Sequence, residues 1–353
     1  MAETARPASA PVGPPAAAAI AAAASTLRTA RRVWITTHVK SDGDGIGCEL
    51  ALLRALASLG VEARAINDTL VPRTLRFLLA RPDEVLVYDP SRDDAFLRAA
   101  DTVVVVDVGL AYRLGRLEAR FGESAGVKIC LDHHLDMDPA FHHVLCDPDL
   151  NATGEILYPL LRALGAPLTR EVASPLFVSI SVDSGNFCYE RCTPETFRIA
   201  SELVAAGAEP YPLHVALNWS RALSEVKLEG EVIRMLRVDP GGAVACSTVS
   251  AEMLARYAMD PMEMPNIVNI PLSLEGVEIA LLFVELEPGR VKVSARGKGR
   301  VKVCELARAF GGGGHPLAAG FSVQGTLEEA RTAVLAVCRR LLDAAPPPRK
   351  QSW

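Results

Sequence analysis

Residues 129–135, Ile-Cys-Leu-Asp-His-His-Leu, end a short apolar run typical of a β-strand in one carboxylate and two imidazole side chains. Clustering such groups is costly unless they hydrogen-bond to one another or bind a cation or a phosphate. The stretch alone leaves both interpretations open, because paired histidines at strand ends are often merely hydrogen-bonded. The rest of the chain must therefore decide between them.

Length and composition exclude several classes of protein. The 353 residues are 50% hydrophobic with a formal net charge of −5, which predicts a globular protein large enough for two domains. The negative balance argues against a broad cationic face for long duplex nucleic acid, although short nucleotides remain compatible with it. The eight cysteines lack the paired spacing of a zinc site, which predicts reduced thiols in a cytoplasmic protein. No apolar run reaches the ~18 residues that cross a bilayer, so we expect no membrane association.

Acidic and histidine side chains follow four predicted strands. These pairs are 33–37 with His38, Asp42 and Asp44; 102–106 with Asp107; 127–131 with Asp132, His133 and His134; and 176–182 with Asp183. The β-branched run 102–106 is typical of a strand covered on both faces in a parallel sheet, and open α/β sheets gather ligands at the carboxyl ends of their strands. An ordinary turn explains one loop that is rich in aspartate and glycine, but it does not explain why acidic or histidine side chains follow all four predicted strands. Between the last two strands, residues 151–155 offer caps for a helix that continues to Leu164.

Six of these side chains form a donor set of nitrogen and carboxylate groups without a thiolate: His38, Asp42, Asp44, Asp107, His133 and Asp183. Such a set suits manganese, magnesium or iron better than structural zinc. Six ligands are too many for one open catalytic ion, but they serve two ions if one carboxylate bridges them. Asp107, alone on its strand, is the natural bridge. Two such ions would polarise a phosphate and produce a hydroxide nucleophile near neutral pH.

A second cluster lies in the C-terminal third, after the acidic pattern stops near residue 208. A predicted strand, 291–296, ends in Arg296, and a predicted helix, 303–310, leads into the run Gly-Gly-Gly-Gly-His-Pro-Leu-Ala-Ala-Gly at 311–320. Consecutive glycines expose backbone N–H groups that form a cradle for an anion, to which Arg296 and His315 could add charged contacts. A flexible loop beside a surface arginine has the same appearance.

Together, these motifs resemble the DHH phosphoesterase superfamily. The matching segments are His38…Asp42-Gly43-Asp44, Val106-Asp107, Asp132-His133-His134 and Asp183-Ser184-Gly185-Asn186-Phe187. The C-terminal cluster resembles the DHH-associated substrate-binding domain. The resemblance implies an α/β fold, with an N-terminal DHH domain whose mostly parallel sheet is flanked by helices and a smaller C-terminal α/β substrate-binding domain. Lys40-Ser41 and Cys48 depart from the usual Asn-Pro and Ser or Ala, which puts substrate preference in doubt more than catalysis.

The resemblance also implies where the domains begin and end and what each of them does. The predicted segments are a disordered tail at 1–25, a DHH catalytic domain at 26–207, a linker at 208–229, a DHH-associated substrate-binding domain at 230–343 and a disordered tail at 344–353. Metals would lie in the first domain and nucleotide recognition in the second, with the reaction in a cleft between them.

Individual roles follow from the same resemblance. One ion would be held by His38, Asp42 and Asp107, and the other by Asp44, Asp107, His133 and Asp183. His134 would face the substrate phosphate and Asp132 would support it, so the predicted catalytic residues are Asp107, Asp132, His133 and His134. The predicted substrate-binding residues are His134, Arg296, Gly312, Gly313, Gly314 and His315.

Within the superfamily, the resemblance is strongest to bifunctional oligoribonucleases that also act on 3′-phosphoadenosine 5′-phosphate. We therefore expect manganese-dependent hydrolysis of short oligoribonucleotides to mononucleotides, of that bisphosphate to AMP, or of both, with magnesium or iron as alternative ions. One alternative is a phosphodiesterase of cyclic di-AMP or its linear product pApA. An alternative of another class is a catalytically silent nucleotide-binding sensor. Short RNA or a nucleotide is the expected partner, and relatives leave open a homodimer by analogy.

Overall fold

The computed structural model describes residues 8–9, 15–261, 267–314 and 316–346, and the chain divides into two units, Met1–Ser220 and Arg221–Trp353. Each unit has a hydrophobic core of its own. Among the described residues, no helix combines the length and the apolar composition needed to span a bilayer.

The first unit is built on a six-stranded parallel sheet. The described strands of this unit, inside and outside that sheet, are β1 (Ala8–Ser9), β2 (Arg32–Thr36), β3 (Glu62–Asn67), β4 (Val85–Val87), β5 (Thr102–Val106), β6 (Val127–Asp132), β7 (Asp136–Met137) and β8 (His143–Cys146). The sheet has the order β4-β3-β2-β5-β6-β8 with every neighbouring pair parallel, while β1 and β7 form a separate antiparallel ladder. The predicted α/β fold with a mostly parallel sheet is confirmed.

Helices cover both faces of this sheet. They are α1 (Ala17–Thr29), α2 (Gly43–Ser58), α3 (Pro90–Ala99), α4 (Glu118–Glu123), α5 (Thr153–Leu164), α6 (Arg170–Asp183), α7 (Pro194–Ala205) and α8 (Pro210–Asn218), with 3-10 turns at Arg73–Leu78 and Ala111–Leu117. Strand β5 lies between two cores, because Val104 and Val106 pack on one face and Val103 and Val105 on the other. This explains the uninterrupted β-branched run in the sequence.

The N-terminal helix begins inside a segment that the sequence assigned to a tail. Helix α1 starts at Ala17, whereas a disordered tail was expected over 1–25, and Ala23 and Ala24 of this helix are buried in the core of the first unit. Of the two predicted tails, residues 1–7, 10–14 and 347–353 lie outside the described residues, and Ala344 is the last residue of a helix of the second unit.

The strand predicted for residues 176–182 is wrong, since these residues belong to helix α6. An apolar run of this length does not distinguish a buried strand from a buried helix. The residues of α6 that enter the core recur at helical rather than alternating spacing: Val172, Ala173, Leu176, Phe177 and Ile180. Asp183 is therefore delivered by the end of a helix.

The second unit is a mixed sheet with helices. Its strands are β9 (Arg237–Val238), β10 (Val244–Val249), β11 (Ile279–Glu287), β12 (Arg290–Gly297), β13 (Gly313–Gly314) and β14 (Ala318–Gln324). The order is β13-β14-β12-β11-β10-β9, in which only the pair β10 and β11 is parallel. The helices are α9 (Leu223–Arg234), α10 (Ala251–Arg256), α11 (Asn269–Leu272), α12 (Val303–Arg308) and α13 (Leu327–Ala344). This agrees with the predicted C-terminal α/β domain.

Candidate metal centre

The six predicted metal ligands lie at the ends of three strands and two helices of the first unit. They are His38 after β2, Asp42 as the N-cap of α2, Asp44 in the first turn of α2, Asp107 after β5, His133 after β6, and Asp183 as the last residue of α6. Strands β2, β5 and β6 are adjacent and parallel, so their carboxyl ends meet at one edge of the sheet.

The structure brings all six side chains together in two groups. The ligand atoms of His38, Asp42 and Asp107 lie within 4.8 Å of one another, and so do those of Asp44, His133 and Asp183. Asp107 faces both groups, because its Oδ2 is 3.2 Å from His38 Nε2 and its Oδ1 is 3.5 Å from His133 Nε2. A carboxylate that turns one oxygen toward each group has the geometry that a bridging ligand requires.

Asp107 adopts a backbone conformation that few residues other than glycine tolerate. Its φ is +59°, in the left-handed region, where aspartate is accepted at a cost of roughly 1–2 kcal/mol. Its backbone N–H donates to the carbonyl oxygen of Leu131 on β6 at 2.8 Å, which holds the residue at the strand end. Strain of this kind, held in place by the neighbouring strand, is typical of functional positions.

Backbone carbonyls fix the orientation of both histidines of the cluster. His38 Nδ1 donates to the carbonyl oxygen of Val39 at 2.9 Å, and His133 Nδ1 to that of Leu150 at 3.4 Å. Because a carbonyl only accepts, these contacts assign the proton to Nδ1 and turn Nε2 toward the carboxylates. Histidine ligands of protein-bound metals are oriented in the same way.

His134 and Asp132 form a pair at the rim of the cluster. Asp132 is fully buried, and its Oδ1 accepts from His134 Nδ1 and from the His134 backbone N–H. His134 Nδ1 is also 3.8 Å from Asp107 Oδ1, while the side chain of His134 is 19% exposed. Asp132 thus orients an imidazole that touches both the cluster and solvent.

In the cluster, the pKa values of Asp44, His38 and His133 are shifted toward the protonated, more positive forms of these side chains. Burial, together with the charge of Asp107, raises the pKa of Asp44 to about 7. Burial alone would lower the pKa of His38 and of His133, but hydrogen bonds to Asp107 and nearby carboxylates outweigh it, raising these values to about 9 and about 10. Without a metal, the carboxylates therefore draw protons onto the imidazoles. Oxygen and nitrogen donors that need neutralising at such short separations fit a divalent cation.

Sequence reasoning missed a set of donors behind Asp44. The backbone N–H groups of Thr153 and Gly154 donate to Asp44 Oδ2 at 2.7 Å and Oδ1 at 3.2 Å, and the hydroxyl of Ser179 also donates to Oδ1. Cys48, one of the departures from the family pattern, lies with Sγ 3.5 Å from the same oxygen. Helix α5 spans the residues expected for it, but its N-cap, Ala152, has no capping side chain. Asp44, which belongs to α2, caps α5 instead by accepting from its first two N–H groups.

The predicted substrate-binding residues of the second unit lie at one end of its sheet. Arg296, half-buried on β12, pairs with Ala318 of β14, and Gly314 on β13 pairs with Ala319 of the same strand, so that only β14 separates them. The N–H of Gly312 already donates to the carbonyl oxygen of Ala307 at 2.8 Å.

Close packing explains two of these glycines. A Cβ at Gly312 or at Gly314 would lie about 2.5 Å from a backbone oxygen of β14, whereas Gly313 faces open space. Gly312 and Gly314 are therefore needed for close packing against β14, besides any role of their backbone N–H groups. His315, the remaining predicted contact, lies outside the described residues.

Family models match both units of the chain. The DHH family, N-terminal domain, matches residues 32–180, and the DHHA1 domain matches residues 241–343. The chain is 34% identical over 315 residues to the bifunctional oligoribonuclease and PAP phosphatase NrnA of Thermus thermophilus, covering 89% of this chain and 91% of the relative. The protein of the same name from Bacillus subtilis is 25% identical over 289 residues, covering 81% and 87%.

A solved structure supports the same assignment. An exopolyphosphatase-related protein from Bacteroides fragilis superposes with a TM-score of 0.85 at 26% identity, covering 93% of this chain and 96% of that one. The RecJ protein of Thermus thermophilus shares the fold with a TM-score of 0.56 at 18% identity, covering 96% of this chain and 57% of RecJ. The chain therefore belongs to the DHH family, with a DHHA1 domain following its DHH domain, as the sequence motifs predicted.

Proposed function

We propose that this protein is a metal-dependent phosphoesterase that hydrolyses short oligoribonucleotides to mononucleotides and 3′-phosphoadenosine 5′-phosphate to AMP. The observation that carries the proposal is the convergence of six nitrogen and carboxylate ligands around Asp107, with none of the six missing. The names of the Thermus thermophilus and Bacillus subtilis relatives point to the same two activities.

Two divalent cations would be held by residues of the first unit. His38, Asp42 and Asp107 would hold one ion, and Asp44, Asp107, His133 and Asp183 the other. When bound, the ions supply positive charge that polarises the phosphate and lowers the pKa of a water nucleophile. Manganese suits this donor set, which contains imidazoles and carboxylates but no thiolate, and magnesium or iron would be accepted by the same ligands.

The chain's own residues would act on the substrate as well as on the ions. The imidazole of His134, held through Nδ1 by the buried Asp132, would contact the phosphate. Hydrolysis breaks the bond between phosphorus and the leaving oxygen, adds the water oxygen to phosphorus, and leaves a proton on the released alcohol. An imidazole held in a fixed orientation next to the phosphate would face the negative charge that grows in this step.

Nucleotide binding is assigned to the second unit. Arg296 would form paired hydrogen bonds with a terminal phosphate, since guanidinium geometry suits such an anion. Gly312, Gly313, Gly314 and His315 would approach the same phosphate. Gly313 has open space where a Cβ would be, which leaves room for a phosphate next to its backbone.

A substrate panel tests the proposal. The purified protein is incubated with manganese and RNA of two to ten nucleotides, with 3′-phosphoadenosine 5′-phosphate, with cyclic di-AMP and with pApA. We expect mononucleotides from the shortest RNA, AMP and phosphate from the bisphosphate, and no cleavage of cyclic di-AMP. If neither mononucleotides nor phosphate are released, the substrate assignment is wrong.

A further inference from the structure

Glu155 is a buried carboxylate next to the candidate metal centre, but it is not one of the predicted ligands. It lies in the first turn of α5 and is 4% exposed. Within the described part of the chain, no cation lies at ion-pair distance from it. A buried carboxylate without a cation is costly unless its oxygens accept several hydrogen bonds.

The hydrogen bonds of Glu155 close the turn that precedes α5. Its Oε1 accepts from the backbone N–H of Asn151 at 3.1 Å and from Asn151 Nδ2 at 3.2 Å. Its Oε2 accepts from the hydroxyl of Thr196 at 2.7 Å. Thr196 is fully buried and belongs to the capping box of α7. Glu155 therefore ties the turn before α5 to the start of another helix.

The residues of that turn contact two predicted metal ligands. The N–H groups of Thr153 and Gly154 donate to Asp44, and the hydroxyl of Thr153 lies 3.4 Å from Asp107 Oδ1. A side chain at position 154 would place its Cβ 2.2 Å from the hydroxyl of Ser179, which shows how little room the turn has to shift.

We propose that Glu155 is a positioning residue of the metal centre, acting through the turn at Asn151–Gly154 on the carboxylates of Asp44 and Asp107. The inference rests on the proposed metal centre. Residues that orient ligands in this way typically change metal affinity 10- to 100-fold when they are removed. In the described part of the chain, the hydrogen bonds of Glu155 go to Asn151 and Thr196 and not to a predicted metal ligand, so its effect must pass through the turn.

The test is titration of metal-free protein with Mn²⁺, with free Mn²⁺ measured by electron paramagnetic resonance. We expect Glu155→Ala to raise the dissociation constant roughly 10- to 100-fold. Glu155→Gln should restore affinity to within about threefold of the unchanged protein, because its amide oxygen can accept from Asn151 and its amide nitrogen can donate to Thr196.

Glu329 offers a matched control in the second unit. It stands at the same third position of α13, where its carboxylate accepts from the Thr326 backbone N–H at 2.8 Å. Glu329→Ala removes the same kind of cap, which costs about 1 kcal/mol of stability, and should leave Mn²⁺ affinity unchanged. If Glu155→Ala does not fold, Thr153→Val should weaken Mn²⁺ binding and Thr153→Ser should restore it.

Two results would overturn the inference. One is a folded Glu155→Ala protein with unchanged Mn²⁺ affinity, and the other is a Glu155→Gln protein as weak as Glu155→Ala. Failure of the unchanged protein to bind Mn²⁺ would instead remove the proposed metal centre itself, so the two failures are distinguishable.

Discussion

Replacing Asp107 with asparagine removes a carboxylate whose two oxygens face the two halves of the metal centre. Asparagine keeps the shape and tolerates the positive φ of this position, so the change introduces no backbone strain. The Oδ2 and Oδ1 atoms lie 3.2 and 3.5 Å from the two histidines, and both lose their negative charge. If each charged contact contributes about 2 kcal/mol, the loss is about 4 kcal/mol, or roughly a thousandfold in rate.

The assay is release of mononucleotide from a dinucleotide and of phosphate from 3′-phosphoadenosine 5′-phosphate, with metal content measured on the same samples. Asp101→Asn is the matched control, because Asp101 stands at the opposite end of β5 and is exposed. We expect it to retain full activity. An Asp107→Asn protein that still binds two ions and works within tenfold of the unchanged rate would refute the bridging role.

Four further predictions concern the same residues. Thermal unfolding should show that the metal-free protein becomes less stable as pH rises from about 7 to 10. Protonated His38 and His133 contribute stability that is complete below their ordinary pKa of 6.5 and is lost as pH passes their raised pKa values of about 9 and about 10, at roughly 1.4 kcal/mol per pH unit for each proton. A stability that does not change over this pH range would contradict those pKa values. Asp132→Asn should lower kcat about 100-fold with two ions still bound, because His134 loses its orienting carboxylate; loss of metal instead would assign Asp132 to the metal site. Arg296→Lys should raise KM for the bisphosphate roughly tenfold with little change in kcat, as paired hydrogen bonding is lost; an unchanged KM would remove Arg296 from the substrate site. A chelator should abolish turnover, and Mn²⁺ should restore it more fully than Mg²⁺; activity that survives chelation would argue against metal chemistry.

Much of the fold and of the candidate site was predictable from local sequence. The β-branched run of β5 and the polar residue at its end indicate a buried parallel strand and a ligand at its carboxyl edge. The structure confirms that strand. It brings Asp107 close to His38, which follows β2, and to His133, which follows β6, and the ligand atoms of each group lie within 4.8 Å of one another.

Features that depend on tertiary contacts were not predictable. The apolar run before Asp183 belongs to a helix. Val178 of this helix packs into a second core opposite Leu176 and Ile180, so the run is apolar throughout and resembles a buried strand in sequence. The motif at 151–155 indicated capping residues, yet the cap of α5 comes from Asp44, 109 positions earlier in the chain. The glycine run before residue 315 predicted a turn that exposes backbone N–H groups, and two of these residues, Gly313 and Gly314, form a short edge strand. For the cap of α5, the deciding partner is distant in sequence.

Anomalous diffraction at the manganese edge, from crystals of the protein grown with Mn²⁺, tests the central claim most directly. The account predicts two peaks, one bound by His38, Asp42 and Asp107 and the other by Asp44, Asp107, His133 and Asp183. A single peak that Asp107 does not touch, or peaks held by other residues, would contradict the two-metal centre and the phosphoesterase mechanism that depends on it.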